Sequence, residues 1–177
     1  RLNKSPAIFD ITKLTWMNGC YIRNLSAEDF HRLALPYYKD LENKNIDLFF
    51  LSKALQPRIE VLNQITEQTD FLAKMPEYDV SLYENKKMKT NPEIAAKALQ
   101  IVLPILENVT DWTNENLFNT LKETAVANEM KNGQILYPVR IALSGKETTP
   151  GGATELAHVL GKAETLLRIS EAIKKLS

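Results

Sequence analysis

Lys131-Asn-Gly-Gln-Ile-Leu-Tyr-Pro-Val-Arg-Ile-Ala-Leu-Ser-Gly-Lys-Glu-Thr-Thr-Pro150 is the stretch on which the reading of this chain turns. A helix that only fills a core needs Leu and Ile at helical spacing. Nothing in that requirement calls for Pro138, Arg140, Gly145 and Thr149 in this arrangement. Pro150-Gly151-Gly152 reads as a tight turn leading into a helix. The glycine pair lets backbone approach a phosphate or base closely, but it lacks the Gly-x-x-x-x-Gly-Lys-Ser/Thr context of a nucleotide loop.

Outward from this stretch the sequence is helical. Asn91-Pro92-Glu93 is a start signal: Asn91 caps, Pro92 suits the first helical position and Glu93 favours the positive helix end. Ile94, Ala95, Ala98, Leu99, Ile101, Val102, Ile105 and Leu106 continue a broad apolar face, and Pro104 predicts a kink or break. Thr113-Asn114-Glu115-Asn116 opens the next helix, with Leu117, Leu121, Ala125 and Val126 on one face and Asn132-Gly133 as its stop. Ser26-Ala27-Glu28-Asp29 caps an earlier helix with Phe30, Leu33 and Ala34 inward, complicated by Pro36. Asp47 begins another through Leu48, Leu51 and Leu55 to Pro57, after which Ile59, Leu62, Ile65, Phe71 and Leu72 predict a continuing or bent helix. The pattern lapses over 74–90, which reads as a connection between two helical units.

Composition sets the outer limits. The 177 residues are 44% apolar, enough for a packed core, and no apolar run reaches the roughly 18 residues of a membrane span. One cysteine, Cys20, forms no internal disulfide framework, and the isolated His31 and His158 offer no zinc-ligand spacing, so the expectation is a cytoplasmic protein without a metal. The 22 basic and 22 acidic residues cancel, but residues 131–177 carry seven basic against four acidic groups, leaving that segment at +3 and the rest at −3. A small phosphate-contact surface gives such an asymmetry, and so does a solvated helix face. Neither Cys20 nor Ser144 has a motif-linked base, and Glu28-Asp29 complements a helix end, so no catalytic residue is expected. Trp16 and Tyr21 fall in the apolar segment from Lys13 to Ile22, and Trp16 is assigned to packing; Tyr137 also offers a stacking face.

The 131–150 stretch, with Leu160-Gly-Lys-Ala-Glu-Thr-Leu-Leu-Arg-Ile169, resembles the C-terminal end of bacterial glutamyl-tRNA synthetases. Phe9-Asp-Ile-Thr-Lys-Leu-Thr-Trp-Met-Asn-Gly-Cys-Tyr-Ile-Arg23 looks like the segment that follows the catalytic half of those enzymes. The resemblance implies an all-α fold of two consecutive helical-bundle subdomains, the α-helix cage that binds anticodons in class I synthetases. On it, residues 1–25 end the stem-contact domain, 26–80 form the first helical subdomain and 81–177 the second. The family's His-Ile-Gly-His-like and Lys-Met-Ser-Lys-like motifs do not occur. The chain is therefore expected to be a C-terminal part, inactive alone and without its own cofactor, of a monomeric ligase that uses ATP and Mg.

The resemblance also implies roles for residues. Arg58, in a Pro-Arg context, matches the arginine that reads the third anticodon base, whereas taken alone it reads rather as a surface group paired with Glu60 or a helix carboxylate. Arg140, within Pro138-Val-Arg-Ile-Ala-Leu-Ser-Gly145, matches an arginine used on the anticodon loop, where splayed bases expose their edges. Thr149, Pro150 and Gly152 match the loop that contacts the first two anticodon bases. Gly152-Ala153 departs from members that carry a bulky apolar residue there, which puts an apolar base contact in doubt. Lys13, Asn18 and Arg23 are weaker candidates for the tRNA backbone. The implied partner is tRNA(Glu), with tRNA(Gln) left open, although in this family a guanidinium at the place of Arg58 goes with a preference for C over G. A helical protein-interaction domain without RNA binding is the alternative.

Overall fold

A computed structural model describes residues 10–42 and 44–177; Phe9 and the rest of the first nine residues lie outside it, as does Asn43. Among the described residues the chain forms eight α-helices and no named strand: α1 Ile11–Asn24, α2 Ala27–Ala34, α3 Leu48–Leu55, α4 Gln64–Ala73, α5 Pro92–Asn108, α6 Asn114–Ala127, α7 Asn132–Ser144 and α8 Ala153–Leu176. The fold is all-α. Side-chain oxygens start five of these helices, with Asp10, Ser26, Asp47, Asn91 and Thr113 accepting the N–H of Lys13, Asp29, Phe50, Ile94 and Asn116 respectively. Each bond satisfies one of the donors that a helix start leaves free.

Helices α5, α7 and α8 pack against one another, with α6 against α7 and α8. Helix α7 is buried nearly all round: Ile135, Tyr137, Val139, Ile141, Ala142 and Leu143 are all in the core. The stretch whose order did not follow from core packing is thus the central core helix, with Pro138 buried inside it. Burial of each large apolar side chain contributes about 1.5–3 kcal/mol, which outweighs the single helical bond lost at Pro138. Helix α2 packs on α3, and the buried residues from Ile22 to Ala172 form one contiguous cluster.

Several local expectations are corrected. Of the kink or break expected at Pro104 there is no break, since helix α5 runs on to Asn108. Both Pro104 and Gln100 are exposed, so water can satisfy the Gln100 carbonyl that the proline leaves without a donor. Asn132-Gly133 does not stop α6. That helix ends at Ala127, Glu129 turns the chain back in the left-handed region (φ 55°), and Asn132-Gly133 opens α7. The expected continuation of α3 is broken, because Gln56–Arg58 make a 3-10 turn, Ile59 is extended and α4 begins only at Gln64. Leu33 and Val126 face solvent at 47% and 72% exposure.

Trp16 is also corrected. It is 60% exposed and Tyr21 72%, because α1 meets the rest of the described chain only near its C-terminal end, through Gly19, Ile22 and the Asn18 amide bonded to the Glu60 carbonyl. Gln56 completes that junction, its Nε2 donating to the Ile22 and Leu25 carbonyls at 2.9 Å each. His31 and His158 serve packing: one pairs with Ser52 Oγ at 2.8 Å, the other with the Trp112 carbonyl at 2.9 Å.

Candidate nucleic-acid interface

The loop between α7 and α8 begins at Gly145, which ends α7 in the left-handed conformation at φ 60°. A Cβ there would lie 2.9 Å from Tyr78 Cδ1 and 3.0 Å from Pro76 Cγ, so both backbone and space require glycine. The loop ends where the Glu155 carboxylate accepts the Gly152 N–H at 2.6 Å, capping α8. Pro150-Gly151-Gly152 is the expected turn into a helix.

Three cations hold this loop from three directions. Arg140, on α7, donates through Nη1 to the Glu147 carbonyl at 2.8 Å and to Thr149 Oγ1 at 3.1 Å. Arg58, more than ninety residues before Thr149, donates through Nη1 to the Thr149 carbonyl at 3.1 Å. The Lys146 ammonium reaches the Glu67 carbonyl at 2.9 Å and pairs with Asp70 on α4. Thr149 Oγ1 in turn donates to the Gly151 carbonyl at 2.7 Å. The Thr149 hydroxyl and the Nη1 group of Arg140 are therefore spent within the protein. Thr149 and Pro150 are buried, Gly152 and Arg140 half-buried, and Arg58 exposed.

Arg140 is half-buried and tied into the protein. Its guanidinium lies 5.1 Å from the centre of the Tyr137 ring, and the Tyr137 hydroxyl donates to the Leu82 carbonyl at 2.9 Å. Burial, the largest effect, pushes its pKa below the ordinary arginine value; Tyr137 and Glu147 oppose that shift and Arg58 adds to it. The group stays protonated. Two like charges thus face one loop, an arrangement that an anion relieves. Among the described residues no acceptor engages Arg140 Nε or Nη2, so these donors remain for a ligand.

The structure brings Arg58, Arg140, Thr149, Pro150 and Gly152 together. Lys13, Asn18 and Arg23 lie on α1, where Lys13 is exposed, Asn18 is tied to Glu60 and Arg23 Nη2 sits 3.4 Å from Cys20 Sγ. A residue missed in the sequence lies behind the loop. Arg168, 3% exposed, donates Nη1 to the Phe71 and Leu143 carbonyls at 2.8 and 2.7 Å and Nε to Glu164 at 2.7 Å, tying α4, α7 and α8 together. Only its place on an otherwise buried helix face hinted at this.

A cavity of about 560 Å³ opens beside Arg140, lined also by Met88, Phe118, Leu136, Gly152 and Ala153. Among the described residues no helix is long and apolar enough to cross a membrane.

The family model described as "Anticodon binding domain" matches residues 29–173. The glutamate–tRNA ligase of Clostridium tetani is 50% identical over 175 residues, covering 99% of this chain and 36% of the relative. That of Clostridium acetobutylicum is 48% identical over 176 residues, with the same two coverages of 99% and 36%. The crystal structure of a glutamate tRNA ligase from Elizabethkingia meningosepticum in complex with its amino acid superposes with a TM-score of 0.81 at 22% identity, over 96% of this chain and 33% of that one. The chain thus spans about a third of the length of the proteins it matches. With the family match covering the helices that build the loop and its cavity, the chain belongs to the anticodon-binding-domain family.

Proposed function

We propose that this chain binds the anticodon loop of a glutamate tRNA as one part of an ATP- and Mg-dependent glutamate–tRNA ligase. The observation that carries this is the convergence of Arg58, between α3 and α4, and Arg140, on α7, on the single residue Thr149. The names of the relatives point the same way. In this reading the free donors of Arg140 meet base edges, exposed Arg58 reads the third anticodon base, and the buried Thr149-Pro150-Gly152 loop supplies backbone groups in a fixed shape. Holding the loop before the RNA arrives lowers the ordering cost of binding. Lys13, Asn18 and Arg23 extend the contact along the RNA backbone, and the adenylate chemistry belongs to sequence outside this chain.

The test is titration of glutamate and glutamine anticodon stem-loops at several salt concentrations, with wild type and Arg58→Gln. Wild type should bind the glutamate loop with an affinity that falls with salt, and Arg58→Gln should narrow the preference between the two loops with little change in salt slope. Indifference of wild type to both RNAs would return the chain to a helical protein-interaction domain.

A further inference from the structure

We propose that Gln56 is a positioning residue for base discrimination: by fastening the 56–60 segment to the end of α1, it fixes where Arg58 places its guanidinium. This rests on the reading of Arg58 as the group that meets the third anticodon base and adds to it the device that aims that group.

Arg58 lies outside the long helices. Helix α3 ends at Leu55, Gln56–Arg58 make a single 3-10 turn, Pro57 has no N–H to bond back, and Ile59 is extended at φ −110° and ψ 151°. Pro57 and Arg58 stand exposed between half-buried Gln56 and fully buried Ile59. The 56–60 segment is therefore an arch with two feet. At the first, Gln56 Nε2 donates to the Ile22 and Leu25 carbonyls at 2.9 Å each. At the second, the Glu60 carbonyl accepts from the Asn18 amide, and the Glu60 N–H donates to Gln64 Oε1 at 2.8 Å. Gly19 lets α1 lie against this foot, since a Cβ there would sit 3.1 Å from Glu60 Cγ and 3.4 Å from Glu60 Cα. Both feet thus rest on α1, while Arg58 reaches away from it to the Thr149 carbonyl at 3.1 Å.

The carbonyls that Gln56 serves have other recourse. That of Ile22 already accepts the Leu25 N–H at 3.3 Å, and Leu25 is half-buried just past the end of α1, where water reaches the last carbonyls. A hydrogen bond to acceptors that are otherwise satisfied contributes little to stability. What it does contribute is a fixed place for the backbone. A guanidinium tells base edges apart only when its planar donors are aimed at them. Arg58 is a long exposed side chain, so its aim depends on the backbone beneath it, and that backbone is set from α1 through Gln56. Base preference is in this way tied to how α1 is seated, although α1 itself stays away from the loop.

The experiment titrates the chain and its variants with glutamate and glutamine anticodon stem-loops at several salt concentrations. Gln56→Met keeps the side-chain length and removes both bonds. It should reduce the preference for the glutamate loop by about 2- to 10-fold, the lower range for residues coupled in one network. Its salt slope should equal that of wild type, because no phosphate contact is lost. In an Arg58→Gln background the same change should have no further effect on the preference. Gln56→Lys, whose ammonium can donate to both carbonyls, should restore it. Gly19→Leu, which forces Glu60 off α1 at the other foot, should narrow the preference with Gln56 intact. Melting curves establish that each variant is folded. Wild-type preference in a folded Gln56→Met would overturn the positioning role, and so would equal narrowing with and without Arg58. Should Gln56→Met not fold, wild-type preference in a folded Gly19→Leu would overturn it instead. Failure of wild type to bind either stem-loop would overturn the anticodon reading as well.

Discussion

Replacing Arg140 by alanine tests whether the arginine is first a structural clamp. The change removes a bond of 2.8 Å to the Glu147 carbonyl, one of 3.1 Å to Thr149 Oγ1 and a guanidinium 5.1 Å from the Tyr137 ring centre. Glu147 is exposed, so its carbonyl recovers a bond from water and that loss falls at the low end. Thr149 is buried, and its hydroxyl keeps only the bond it donates to Gly151. With charged hydrogen bonds worth about 1.5–3 kcal/mol before such recovery and the ring contact about 0.5–1 kcal/mol, Arg140→Ala should cost about 2–3 kcal/mol. At about 2–4 °C per kcal/mol for a chain of this length, the melting midpoint should fall by about 4–12 °C. Thermal melts followed by far-ultraviolet circular dichroism measure this. An unchanged midpoint, as for a freely exposed arginine, would refute the clamp. Stem-loop affinity measured well below the lowered midpoint then separates the contribution of the remaining donors.

Arg168→Ala should destabilise by about 3–5 kcal/mol, the cost of breaking a buried charge network, since it strands the buried carbonyls of Phe71 and Leu143; a urea midpoint equal to wild type would show that water fills the gap. The Tyr38 phenol has its pKa pushed up from 10.0 to about 12 by burial, partly offset by its bond to Ser52. Because the folded-state value is the higher one, the neutral ring contributes stability in full below pH 10 and loses it as pH rises towards 12. Denaturation series across this window should show a falling stability that is shallower in Tyr38→Phe; identical slopes would discount the group.

Helix starts were legible because their chemistry is local. Ser26, Asp47, Asn91 and Thr113 each bond an N–H three residues ahead, a distance that sequence displays directly. The resemblance likewise named Arg58, Arg140, Thr149, Pro150 and Gly152 together, and they do converge. Lost to sequence was the direction in which the groups are used. Arg58 and Thr149 are 91 positions apart, as Arg168 and Phe71 are 97, and no spacing rule reports such pairs. Asn132-Gly133 misled because the same dipeptide that ends a helix also permits close backbone approach at the start of one, here to Met88. Trp16 misled because an apolar helix face implies a partner without saying that the partner lies among the residues at hand.

The shape of the loop from Gly145 to Gly152 is written largely outside it. Arg58 precedes α4, Arg140 belongs to α7, Lys146 anchors on α4, and the space at Gly145 is set by Tyr78 and Pro76. Moved alone into another helical scaffold, these residues would carry their letters without their conformation. For protein engineering the transferable unit is therefore the loop with its distant anchors. A library that randomises Glu147 and Thr148 while keeping Gly145, Lys146, Thr149, Gly151, Arg58, Arg140, Asp70 and Glu155 should hold one backbone shape across its members, whereas randomising the anchors should scatter the backbone even when the loop letters are unchanged.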